Sequence, residues 1–115
     1  MNRIVRATVR RGQEIRFTAD SVELGSLIIY ANYSDGDGKN CGRMQITEGD
    51  GVYVHTELVT GVGVTKQETW PIEESGHVEF AFTPPENAAK FLLAFSANRG
   101  ASGSSNIYLD VRIVP

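Results

Sequence analysis

A single cysteine in 115 residues removes two classes of chemistry at the outset. Cys41 cannot form a disulfide within the chain, nor can it supply a thiolate metal cluster. In NCGRM it has no helix N-terminus or strong basic cluster to activate it, so it reads as a buried or half-buried spectator. Histidine is almost as scarce, with His55 and His77 the only two. No G-x-S-x-G elbow, no H-E-x-x-H and no Cys–His pairing signal are present. Glu73 and Glu74 are adjacent, so a strand would turn them to opposite faces and they cannot work as a carboxylate pair. Nothing approaches the run of about eighteen apolar residues that a membrane span needs, so no membrane insertion is expected. Helical periodicity is missing too: only PENAAKF has helical flavour, and Pro84-Pro85 limits it to one short turn. Without a helix there is no phosphate loop leading into one. Catalysis is not expected; a hydrolase or esterase is a distant third reading, behind two that need no catalytic group.

Charge of one sign is missing locally rather than globally. Four arginines and no acid precede Glu14, so those thirteen residues carry +4, and with a net charge of −3 the remainder carries −7. A basic arm on an acidic body can mean nucleic acid. Here, however, Arg6, Thr8 and Arg10 alternate with Val5, Ala7 and Val9, as on the polar face of a strand, and no aromatic is interleaved for base stacking. A contact between subunits fits better, and no nucleic-acid partner is expected.

What the chain does have is a period of two. Val5, Ala7 and Val9 alternate with polar residues in the first segment, and Ile15, Phe17 and Ala19 do so in the second. LIIYANY, 27–33, is largely apolar on both faces and reads as a more central strand. RMQIT puts Met44 and Ile46 inward. VYVHTEL is read with Val52, Val54 and Leu58 inward and Tyr53, His55 and Glu57 outward. Val78, Phe80 and Phe82, then Phe91, Leu93 and Phe95, then Ile107, Leu109, Val111 and Ile113 supply further inward sets, and VTKQETW, 64–70, is a ninth candidate. Turn clusters such as SDGDGKN, EGDG, EESG and NRGASGSS separate them. Eight or nine strands at roughly ten-residue spacing mean a sandwich or a barrel. We expect an all-β chain: one domain over 1–115, folded as a two-sheet antiparallel jelly-roll β-sandwich.

The second half runs from Trp70 through SGHVEFAFTPPENAAKFLLAFSANRG to a small-residue loop and IYLDVRIV, and the first half holds VRRGQEIRFTADS and GSLIIYANYSDGDG. This order resembles the jelly-roll carbohydrate-binding modules associated with cellulases and xylanases (families four, nine and twenty-two), whose motifs are shared by jelly-roll domains of bacteriophage tail fibres and tailspikes. The resemblance implies non-catalytic recognition of a glycan or cell-surface polysaccharide, with a phage tail-fibre or tailspike terminal domain as the favoured context. It also implies a homo-oligomer, with a trimer favoured. MNRIVRATVRRG lacks the apolar segment of a secretory signal. The expected location is therefore a virion or an extracellular surface reached without such a signal in this chain, and otherwise the cytoplasm. The second reading is a structural oligomerisation or capping domain of a virion or surface fibre with no ligand.

In those modules an aspartate on the last strand and a glutamate near the start often help hold a structural calcium. Asp110 matches the aspartate, but the opening segment that carries the glutamate is absent. Asp35 and Asp37 in SDGDGKN could also offer carboxylates, yet Lys39 and Ile46 stand where the calcium-loop template needs oxygen ligands. A hairpin turn explains the same letters, so no cofactor is expected and calcium is given low weight.

Sugar recognition needs an aromatic face and planar polar side chains. If 43–47 and 52–58 pair through EGDG, their outward face offers Arg43, Gln45, Tyr53, His55 and Glu57. Glu48 is assigned to the turn. Tyr33 and Trp70 are candidates for extra aromatic area, Trp70 also fitting the core. Asn98, Arg99, Ser104 and Ser105, in the loop before the last strand, form a second-choice contact set.

Overall fold

The computed structural model describes residues 2–100 and 108–115. Nine strands follow one another with no helix among the described residues: β1 (Asn2–Thr8), β2 (Glu14–Asp20), β3 (Ile28–Ser34), β4 (Asn40–Gly49), β5 (Val52–Val59), β6 (Gly63–Pro71), β7 (Val78–Phe82), β8 (Lys90–Ser96) and β9 (Tyr108–Val114). They form a six-stranded sheet, β1-β8-β3-β4-β5-β6, and a three-stranded sheet, β7-β2-β9, with every pair antiparallel. The β2–β9 pair in the small sheet and the β3–β8 pair in the large one are nested, so the β2–β3 and β8–β9 connections cross between the sheets side by side. That is the wrapped arrangement of the expected sandwich. Strands β4, β5 and β6 then run on as a meander, the ninth candidate segment supplying β6.

Alternation places the core as expected on most strands. Ile15, Phe17 and Ala19 from β2 and Phe80 and Phe82 from β7 face Ile29, Met44, Ile46, Leu93 and Phe95 of the large sheet, all buried. Phe17 meets Phe95 edge-on, with ring centroids 5.5 Å apart. Each such side chain contributes on the order of 1.5–3 kcal/mol through removal from water. Val111 and Ile113 of β9 pack on the same cluster, whereas Ile107 lies outside the described residues. Strand β3 lies inside the large sheet, between β8 and β4, as its composition suggested. Its outer face is nevertheless open: Ile28 is 39% and Tyr30 48% exposed.

Strand β5 reverses the expectation. Tyr53, His55 and Glu57 point into the sandwich, buried to 1%, 0% and 8%, while Val52, Val54 and Leu58 face outward and are half-buried. The turn decides this. Asp50 and Gly51 both take positive φ, 54° and 79°, which makes a two-residue hairpin turn of the twist-compatible kind. Such a turn sets Gly49 against Val52, and stepping back along both strands sets Glu48 against Tyr53, Ile46 against His55 and Met44 against Glu57. Directly opposed residues share a face. Because Met44 and Ile46 are core, His55 and Glu57 must follow them. Glu48 belongs to β4 rather than to the turn, with its carboxylate accepting the Gly51 amide at 3.2 Å.

Candidate functional site

The inward polar residues of β5 sit where the connection over 83–89 drapes across the large sheet. His55 packs edge-on against Phe82, centroids 5.5 Å apart. Its two nitrogens face different carboxylates, Nε2 that of Glu57 at 3.4 Å and Nδ1 that of Glu68 at 3.3 Å. Carboxylates on opposite sides of one ring cannot converge on a single cation with it. Glu57 also accepts the Thr83 amide at 3.2 Å, which satisfies a loop donor under the fold. Tyr33, expected to add aromatic surface, is 2% exposed. Burial, with Glu57 and Cys41 adding, pushes its phenol well above the usual range. Burial likewise raises Tyr53, with the backbone at Leu27 and Gly25 acting the other way. Cys41 is a buried thiol, as expected. Tyr33, Tyr53, His55 and Glu57 are thus interior groups, and no sugar can stack on them.

Trp70 is half-buried at the edge of β6, meeting Phe80 edge-on at 5.7 Å. Its ring borders a depression of about 700 Å³ over the outer face of the small sheet, with Arg16, Glu79, Asp110 and Arg112 around it. It therefore belongs to a different surface from Arg43 and Gln45. Charges on that surface answer one another. Arg16 bonds Glu14 at 2.9 Å and Arg112 bonds Asp110 at 2.6 Å. His77 lies between Asp20, at Nδ1, and Glu79, 3.1 Å from Nε2. The hydrogen bonds to Asp20 and then Glu79 raise the His77 pKa. The nearby Ser75 hydroxyl accepts the backbone amide of His77. The ring nitrogen that a serine nucleophile would need is turned to a carboxylate instead.

The calcium candidates are also occupied. The Asp35 carboxylate accepts the amides of Asp37 and Lys39, at 2.9 and 3.0 Å, and closes the turn into β4. Among the described residues no group of three or more metal-ligating side chains is assembled. At the rim, Asn98 is tied down rather than presented: its amide donates to the Ser26 hydroxyl at 3.0 Å and its side chain to Glu23 at 3.1 Å. Arg99 bridges to Val22. Ser104 and Ser105 lie outside the described residues.

Arg43 and Gln45 do face solvent from β4, as expected. Register supplies their neighbours. Tyr30 lies opposite Gln45 from β3, Thr56 opposite Gln45 from β5, and Gln67 opposite Thr56 from β6. Asn32 lies opposite Arg43. Side chains opposed in this way have Cβ atoms about 4.5–5.5 Å apart, so these form one continuous row with a second beside it. Tyr30 gives an aromatic ring at 48% exposure. The side chains of Asn32, Arg43, Gln45 and Gln67 make no hydrogen bond or ion pair among the described residues. Tyr30, Asn32, Thr56 and Gln67 were missed from sequence, although the Asp-Gly turn carried the signal that would have found Thr56.

No family model and no curated protein sequence matches the chain. Among solved structures it is similar to a lactose- and MES-liganded congerin II and to a single mutant of congerin II. Each gives a TM-score of 0.42 at 17% identity, over 96% of this chain and 100% of that chain. At that level of likeness, function must be argued from this chain's own residues.

Proposed function

We propose that the chain is a non-catalytic carbohydrate-binding module whose ligand lies across the outer face of the six-stranded sheet. One observation carries this reading: an exposed aromatic, Tyr30, sits in the same rows as planar polar side chains that have no partner among the described residues. A sugar ring presents C–H groups to an aromatic face and hydroxyls to amides and guanidinium groups. Asn32, Arg43, Gln45, Thr56 and Gln67 would take the hydroxyls. Backbone pairing fixes all of them on rigid strands, so binding needs little rearrangement. The charged face of the small sheet supports such a role less well, because its carboxylates and cations already satisfy each other.

A printed glycan array tests this with the intact chain and the Tyr30→Ala and Arg43→Ala variants. Retention by the wild type, lost in both variants, is the expected result. Retention unchanged in both would remove this face, and no retained glycan at all would remove the function. A virion-fibre or extracellular setting and a trimeric assembly belong to the same proposal. Assembly without a ligand is supported by β1, an edge strand of the large sheet with Ile4 56% exposed. Light scattering that finds a monomer at micromolar concentration would count against it.

A further inference from the structure

The outer face of the large sheet has a property that carbohydrate binding alone does not require: it holds no acid. The strands project Arg6, Lys90 and Arg43 to this face, while all fourteen Asp and Glu residues lie on the small sheet, on the inner face or in turns. In a chain of net charge −3 this is a marked segregation. None of the three cations has a carboxylate partner among the described residues, in contrast to Arg16 and Arg112 on the other sheet. Two acids of the neighbouring turns are engaged elsewhere. Glu86 pairs with Arg11 at 3.4 Å, and Asp35 closes its own turn.

Arg6 and Lys90 border a depression. Arg6 and Asn32 stand on either side of Leu92, and Thr8 and Ser34 on either side of Lys90. These six residues border a hollow of about 550 Å³ across β1, β8 and β3. Neighbouring strands are about 4.8 Å apart, so Arg6 and Asn32 are roughly 10 Å apart at the backbone, with Arg43 one strand further on. The hollow thus has an apolar floor, a lysine, two hydroxyls, an amide and the Arg6 guanidinium on one flank, with Arg43 on the strand beyond the other. Arginine presents paired N–H donors that fit a planar carboxylate in two parallel bonds.

From this juxtaposition we infer that the glycan is acidic, and that the hollow bordered by Arg6, Asn32 and Lys90 receives a sugar carboxylate, as in a uronic-acid oligosaccharide. The inference rests on the carbohydrate-binding reading and adds the ligand's charge. The neutral rings of such a ligand continue over Tyr30 and Gln45, and the carboxylate lies between Arg6 and Lys90. Binding is steered by the positive face and weakens as salt rises.

Calorimetry with four probes decides the matter: an oligogalacturonate, its methyl ester, which keeps the sugar rings and removes the charge, dextran sulfate and a DNA oligonucleotide. Expected is tighter binding of the free acid than of the ester by about tenfold or more, since charge-assisted contacts are lost in the ester. The Arg6→Gln/Lys90→Gln double variant should erase that difference and leave the melting temperature unchanged. Equal affinity for acid and ester, with both lost in Tyr30→Ala, overturns the acidic subsite while keeping the glycan reading. Binding of neither overturns both. Binding of dextran sulfate without the uronate, or tighter binding of a DNA oligonucleotide, overturns the carboxylate assignment.

Discussion

Tyr30 and Tyr53 stand on strands of one sheet and have opposite fates: one half-exposed, the other buried to 1%. Composition did not separate them, and the sequence reading favoured Tyr53 because valines flank it. The flanking valines were the weaker signal, since half-buried outer faces carry Val and Thr readily. The two residues therefore respond differently to truncation. Tyr53→Ala removes a ring packed edge-on against Phe80 at 5.8 Å and should cost about 3 kcal/mol. Tyr30→Ala should stay within about 0.5 kcal/mol. Urea unfolding of both variants measures this directly. A second residue-scale prediction concerns His77. Its pKa is raised by bonds to Asp20 and Glu79, so the protonated form is the one the fold favours. That stabilisation is complete below the ordinary value of 6.5 and is lost as pH rises through the raised folded value. Melting temperature should fall over that window, and the fall should vanish in His77→Gln.

At the scale of elements, the strands are legible in the sequence, and the β4–β5 register is encoded in its turn. Turn residues and period-two patterning locate eight segments and offer 64–70 as a ninth, because strands half-buried in a sandwich must alternate. The two-residue Asp-Gly turn also specifies how β4 meets β5, and it outweighs the apolarity of Val52, Val54 and Leu58 in deciding which face is buried. A glycine shows a constraint no pattern could show. A Cβ at Gly42 would meet the Leu58 carbonyl and the Pro85 ring, each at 2.7 Å. Strand β4 is thus wedged between β5 and the connection over 83–89, the same connection that bonds Glu57 through the Thr83 amide. Gly42→Ala should destabilise by about 2 kcal/mol through overpacking. Denaturant midpoints test it, and a neutral substitution would show that the connection does not press on the sheet. That contact joins residues more than forty positions apart, which is why sequence alone could not disclose it.

At the scale of the whole molecule, the two outer faces differ in kind. The small sheet carries charges of both signs, bonded to each other, with Trp70 at its margin. The large sheet carries cations, amides and an open tyrosine, without side-chain partners among the described residues. Arg43 and Gln45 were legible as members of the second face, because β4 alternates cleanly. Their neighbours depend on strand order and register, which are long-range pairings, so the face as a unit emerged only with the fold. Its acid-free character follows in the same way, since three cations distant in sequence converge on it.

The claim on which everything else depends is that the ligand surface is the outer face of the large sheet. An amide chemical-shift map of the intact chain, titrated with the glycan most strongly retained on the array, tests this most directly. The account predicts shifts concentrated at Tyr30, Asn32, Arg43, Gln45 and Thr56, with the small sheet unmoved. Shifts concentrated instead at Arg16, Thr18, Glu79 and Arg112, around Trp70, with the β3–β4 rows still, would contradict it.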